Sequence, residues 1–387
     1  MRKINDRAKF IILVMLLYLV ASFFLNYNGF SSLYTNIINP IFWLIVFLFA
    51  ILMFRNDSVN KKRKFDILQR IIVILMLFFI LYFLSGLIIG FEKTPYSRNI
   101  IIIIKNISIY GFVIIFQEYV RKGLINRSGK SIKVIIGITA ILIMFDLFEN
   151  LLIFDFKGNQ KMFEYVISYL NPTIAMHFLL TYLTYHSDFI PSVVYRFILK
   201  TYFFIVPFIP NFGWFLNGSI NLFLPFITYI VIDGYITKKD GTTTKKNKKN
   251  YKRIIVNIPL LLVLSGLLLL VSGKFKYQLM AIASNSMNPV FYKGDAVLIE
   301  KLNKEDANNL DVNDIIVFYN DDSLIVHRII EKVETISGSY IYRTKGDNNN
   351  SADNDLVETH QIVAKYKGFI PKIGYPTIYV QENIFNK

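Results

Sequence analysis

Nine apolar runs, each long enough to cross a bilayer, decide most of what this chain can fold into. A hydrocarbon core about 30 Å thick needs about 20 residues at 1.5 Å rise each. Runs of that order lie near residues 10–26, 38–54, 70–90, 99–120, 132–154, 162–185, 193–209, 214–235 and 253–272. Segments of this kind satisfy their backbone in lipid only as helices, so a multi-span α-helical membrane region is expected. The first run is read as a retained span and not as a removable leader, because Phe23, Phe24 and Leu25 stand where small residues would be needed for cleavage. Charged residues make up only 18% of the chain, well below the quarter or so of an ordinary soluble domain.

The net charge of +16 raises the question of nucleic acid. Its distribution argues against it. Residues 1–273 hold thirty basic and twelve acidic residues, whereas 274–387 hold thirteen and fifteen. The excess falls in short loops between apolar runs, as orientation signals do, and forms no basic groove. Arg2, Lys3, Arg7 and Lys9 precede the first run, and the loop from Tyr27 to Ile37 carries no charge. Arg55, Lys61, Lys62, Arg63, Lys64 and Arg70 follow, then only Lys93 and Arg98, then Arg121, Lys122, Arg127, Lys130 and Lys133. Before the seventh run the loop offers only Arg196 and Lys200, and Pro207, Pro210 and Gly213 interrupt runs seven and eight. The densest basic stretch, Lys238 to Arg253, directly precedes the ninth run. This alternation predicts a multi-pass protein of the cell membrane with a cytoplasmic N-terminus, and nine crossings put everything after Gly273 outside. The expected organisation is a polytopic region of about eight spans over 1–237, a basic cytoplasmic loop over 238–253, a ninth transmembrane helix over 254–272 and a further domain over 274–387.

Past Gly273 the pattern changes to short β-branched stretches separated by Asn, Asp and Gly. Strands are predicted at Ala296–Lys301, Asp314–Tyr319, Leu324–Val333, Ser339–Thr344 and Ile362–Ile370, with turns at 293–295, 320–322 and 337–338. About 114 residues suffice for one mostly-β domain with its own core. The absence of cysteine excludes disulfides, thiolate zinc sites and a cysteine nucleophile. No cofactor or metal is expected.

Chemistry concentrates just past the ninth run. Ser284-Asn285-Ser286-Met287-Asn288-Pro289 is followed by Lys293-Gly294-Asp295. His327 stands in Ile325-Val326-His327-Arg328-Ile329, and Asp347 and Asp353 stand in the segment Lys345-Gly346-Asp347-Asn348-Asn349-Asn350-Ser351-Ala352-Asp353. A serine hydroxyl is a poor nucleophile unless a neighbouring base takes its proton, and a carboxylate can hold that base in the right tautomer. One small domain supplies all three residue types.

In these three motifs and their order the chain resembles the type I signal peptidases, in the branch found in the endoplasmic reticulum, archaea and some Gram-positive bacteria. That branch carries Ser-Met-x-Pro after a membrane span, a histidine in place of lysine, and Lys-Gly-Asp-Asn-Asn with a second aspartate six residues on. The resemblance covers about residues 270–372. It implies a signal-peptidase-like catalytic domain with Ser286 as nucleophile, His327 as general base, Asp353 as orienting carboxylate and Asp347 beside them. Ser284 then matches an oxyanion position, where one donor is worth about 3–4 kcal/mol. Asp355 is near enough to Asp353 for the two to exchange roles. The implied partners are exported preproteins with signal peptides and the lipid bilayer, with membrane protein partners through the N-terminal spans; nucleic acid is not among them.

Lys105, Glu118, Asp146, Glu149 and His177 lie within apolar runs, where an ionisable group is a functional candidate, although the preferred reading is that they face other helices or lie near the interface. Glu118 with Arg121 and His177 resembles part of the motif of intramembrane glutamate proteases related to prenyl-protein processing, but their Glu-Glu pair is missing because Gln117 precedes Glu118. The leading expectation is a membrane-bound serine endopeptidase acting on signal peptides. The alternatives are a catalytically inactive binding or assembly protein, and a dedicated processing enzyme for one surface or pilin-like substrate.

Overall fold

The computed structural model describes residues 5–27, 33–54, 61–151, 154, 156, 158–239, 275–320, 323–335, 338–380 and 382. Most of the expected basic loop and the whole ninth span lie outside them. The described residues fall into two compact units, one helical and ending at Lys239, the other mostly β and beginning at residue 275.

The helical unit runs α1 (Asp6–Tyr27), α2 (Asn39–Met53), α3 (Lys61–Ile89), β1 (Phe91–Lys93), α4 (Ile100–Asn126), α5 (Ile132–Leu151), α6 (Asn159–Tyr165), α7 (Asn171–His186), α8 (Phe189–Ile205), β2 (Phe208–Pro210) and α9 (Gly213–Lys239). Each expected span among the described residues is helical. Six helical segments there are long and apolar enough to cross a membrane alone, with α6 and α7 counting as one continuous rod from Gln160 to His186. The exceptions are α5 and α8. They carry Asp146 and Arg196, and these two charges meet each other inside the unit.

Two Asn-Pro steps that would ordinarily suggest turns sit inside helices. Proline has no N–H and its ring crowds the carbonyl four residues back. The helix accommodates this by widening. The turns Tyr34–Ile38 and Val166–Leu170 are π-helical, with Asn39 N–H donating to Tyr34 O and Asn171 N–H donating to Val166 O, just ahead of Pro40 and Pro172. Interior packing comes from Trp43, Val46 and Ala50 of α2 against Ile11, Met15 and Leu124, and from Ile67, Ile71 and Leu75 of α3 against Leu180, Leu183 and Tyr195. Gly218 of α9 lets that helix approach Ile167 so closely that a Cβ would collide with the Ile167 carbonyl, the small-residue contact that helices use in lipid. Leu52, Leu87 and Ile88 are about three-quarters exposed, as lipid-facing side chains are.

The α8 boundary corrects one reading. Arg196 and Lys200 are not loop residues. Asp188 accepts a hydrogen bond from Phe189 N and Pro191 occupies the first turn, so the helix starts at Phe189 and carries both cations inward.

The β unit is one seven-stranded antiparallel sheet in the order β3-β4-β9-β5-β6-β7-β8, with β3 at Tyr277–Ala281, β4 at Ala296–Lys301, β5 at Ile315–Asn320, β6 at Ser323–Glu334, β7 at Tyr340–Lys345, β8 at Val357–Glu358 and β9 at Ile362–Ile370. Short helices α10 (Lys304–Asn308) and α11 (Tyr375–Val380) complete it. The five expected strands are present, and β3, β8 and both helices are additions. Alternation along β5 buries both of its faces. Ile315 and Val317 join Ile282, Met287, Phe291 and Val297, while Ile316 and Phe318 join Leu310, Ile329, Tyr342 and Ile362.

Candidate active site

Ser284 and Ser286 lie on the loop between β3 and β4. Met287 anchors this loop, being 1% exposed in the first β core. Asp295 closes the turn behind it, its carboxylate accepting from Tyr292 N at 2.8 Å and Lys372 N at 3.0 Å. Gly294 sits at φ +94°, where an L side chain would be strained. Asn285 Oδ1 accepts from Lys293 N, so the loop is stitched on both sides of the serines. Their hydroxyls are 3.2 Å apart, with Ser284 exposed and Ser286 half-buried.

His327 stands on β6, opposite the fully buried Ile316 of β5. Its Nδ1 is 2.6 Å from Asp353 Oδ2. A carboxylate only accepts, so Nδ1 carries the hydrogen and the Nε2 lone pair is left to take a proton. Asp353 is itself fixed. Its N–H donates to Thr344 O at 2.9 Å, and its Oδ2 accepts from the fully buried Thr344 Oγ1 at 2.6 Å. The same loop reaches the serine segment, since Asn348 N–H donates to Ser286 O at 2.8 Å and Asn348 Nδ2 to Asn285 O at 3.3 Å. Gly346 permits that approach, because a Cβ there would crowd Ser286 O. One loop therefore touches the serine segment at one end and the histidine at the other.

Asp347 does not face the histidine. It accepts two parallel hydrogen bonds from Arg328, Nε at 2.8 Å and Nη2 at 2.7 Å, while Arg328 Nη1 donates to Asn313 O. The carboxylate raises the Arg328 pKa above the ordinary arginine value. Asp355 is exposed, and the carboxylate against His327 belongs to Asp353. Lys293 pairs with Glu382. Arg328 and Thr344 gave no functional signal in the sequence, as a strand arginine and a strand threonine are ordinary, and Gly346 was visible only as part of the Lys-Gly-Asp-Asn-Asn motif; their roles exist only once the loop has closed.

A second polar cluster fills the helical unit. Glu118 of α4 accepts from Arg121 Nε at 2.8 Å and from Arg196 Nη1 at 3.0 Å. Arg196 also donates to Asp146. Arg121 further donates to Thr181 Oγ1 at 2.8 Å and to His177 Nδ1 at 2.9 Å. A guanidinium only donates, so the His177 hydrogen is on Nε2, which lies 3.2 Å from Asp146 Oδ2. Both Glu118 oxygens are engaged by arginine, which suits a fixed counter-charge better than a proton acceptor. Lys105 is exposed, and the Glu149 side chain lies outside the described residues.

Comparison with known proteins places the C-terminal part among peptidases. The chain is 36% identical over 122 residues to the signal peptidase complex catalytic subunit SEC11 of Lachancea thermotolerans, covering 28% of this chain and 69% of that protein. It is 37% identical over 113 residues to the subunit of the same name from Dictyostelium discoideum, covering 27% of this chain and 61% of that protein. Against signal peptidase I W of Bacillus subtilis the identity is 33% over 96 residues, covering 24% and 49%. No family model matches the chain.

Proposed function

Since the chain belongs to the type I signal peptidase family, we propose that its β unit is a serine endopeptidase that removes N-terminal signal peptides from exported preproteins on the extracytoplasmic face of the cell membrane. The observation that carries this reading is the loop 346–353, which hydrogen-bonds the Ser286 backbone and holds His327 through Asp353. Ser286 Oγ adds to the scissile carbonyl as its proton passes to His327 Nε2. Asp353 holds the Nδ1–H and stabilises the imidazolium, which then protonates the leaving amine. Water repeats the sequence on the acyl-enzyme. Ser284 Oγ and the Ser286 backbone N–H are the donors for the oxyanion. Arg328 and Asp347 act as a clamp that holds the loop.

Substrate enters as an extended strand with small residues at the cleavage site and three positions out. The test is incubation of the purified full-length protein with a preprotein. Cleavage after the second Ala of Ala-x-Ala is expected, with loss of cleavage when Ser286 is replaced by Ala or either small position by Phe. Processing by the Ser286→Ala protein would sink the assignment of the nucleophile.

A further inference from the structure

We propose that the helical unit carries a second ligand site, a pocket for the terminal carboxylate of a membrane-embedded apolar peptide. The pocket is a cavity of about 30 Å³ lined by Asn39, Gln117, Asp146, Arg196 and Lys200 among others. At about 10–15 Å³ for a single water, it has room for roughly two to three water-sized groups, such as a carboxylate and the N–H beside it.

Charge defines what it takes. Glu118 and Asp146 are matched by Arg121 and Arg196, two against two. Lys200 is the cation left over. It lies on the same helix four residues beyond Arg196, is half-buried, and its charge acts on Asp146, which Arg196 already holds, so among the described side chains three cations face two carboxylates. Cations within a bilayer are normally paired or directed at a ligand, so the pocket calls for an anion. Gln117 adds a second requirement. It is 3% exposed, and its buried Oε1 has no hydrogen-bond partner. A ligand must therefore also bring a donor. A water supplies the donor but no charge; hydrogenphosphate supplies both but has no apolar part to hold it at this depth in the bilayer. The last residue of a peptide supplies both, its carboxylate to Lys200 and its N–H to Gln117.

Depth agrees with this occupant. Lys200 and Asp146 are each five residues from the ends of their helices, Ile205 and Leu151, and Asn39 opens α2. At 1.5 Å per residue the pocket is about 7–8 Å from those ends, which are the extracytoplasmic ends in the proposed topology. Signal-peptide cleavage leaves an apolar segment in the membrane with a new carboxylate on that side. The inference rests on the proposed function for the identity of the peptide, and the site would receive the product of the first reaction.

The test uses full-length Ser286→Ala protein in lipid nanodiscs, so that nothing is cut. Three probes are titrated: an apolar peptide of about 20 residues ending in Ala-x-Ala with a free carboxylate, the same peptide as its terminal amide, and palmitate. The acid should bind at least roughly tenfold more tightly than the amide. Lys200→Met should remove that preference while Lys200→Arg keeps it, and Gln117→Leu should weaken both peptides alike. Equal binding of acid and amide, or a preference that survives Lys200→Met, would overturn the proposal; tight binding by palmitate with none by the peptide acid would overturn the choice of peptide. Cleavage by the wild-type protein is a separate measurement, so a failure of the peptidase reading shows there and not in these titrations.

Discussion

Thr344 Oγ1 and His327 Nδ1 converge on one oxygen, Asp353 Oδ2, each at 2.6 Å. The histidine is thus oriented by a carboxylate that is itself oriented, with Thr344 fully buried on the neighbouring strand. Thr344→Val should leave Asp353 one donor short and lower kcat by about tenfold, on the order of the 1–1.5 kcal/mol of a lost hydrogen bond, with KM unchanged. Thr344→Ser should restore most of the rate. Steady-state kinetics on a peptide substrate decide it, and an unchanged kcat in the valine variant would remove Thr344 from the orienting chain.

Ser286, His327 and Asp353 act as one device in the proposed serine mechanism. Ser286→Ala and His327→Ala should each remove nearly all turnover, and the double variant should be scarcely slower than either single one. Additive losses in the logarithm of kcat would show that the two residues serve separate steps.

Asp347 and Arg328 form a forked pair, and their expected effect is on loop position. Asp347→Asn should weaken the pair and lower kcat less than Asp353→Asn does. Arg328→Lys should not rescue, because an ammonium cannot span both oxygens. Burst-phase kinetics of the three variants give the comparison; equal losses for Asp347→Asn and Asp353→Asn would move Asp347 into the catalytic set.

Arg196 bridges Glu118 and Asp146 inside the helical unit. Removing one partner of a buried ion network strands the rest, at about 3–5 kcal/mol. Arg196→Ala should therefore lower the unfolding temperature of the helical unit markedly, followed at Trp43 and Trp214, which both lie in that unit. A melting curve like that of the wild type would show that the network contributes little to stability.

Orientation has its own check. A reporter fused after Lys387 should be extracytoplasmic and one inserted at Thr243 cytoplasmic. Finding both on one side would reverse the proposed topology.

Much of this protein is legible in one dimension. Span-length apolar runs specify helices because no other backbone satisfies itself in lipid, and the change of pattern after Gly273 marks the second unit. Ser286, His327 and Asp353 are visible because they sit in short motifs whose order and residue types point to acyl transfer. Tertiary structure decided what depends on closure. Asp353 rather than Asp347 meets the histidine because the loop folds back to bond Thr344 and leaves Asp347 for Arg328. The π turns before Pro40 and Pro172 keep two apparent breaks helical. Arg196 looked like a loop charge beside an interrupted run; only packing against α4 and α5 gives it Glu118 and Asp146 as partners. Hydrophobic periodicity is a local property of the chain, whereas the partner of a buried charge is chosen by whichever helices the fold brings within about 3 Å of it.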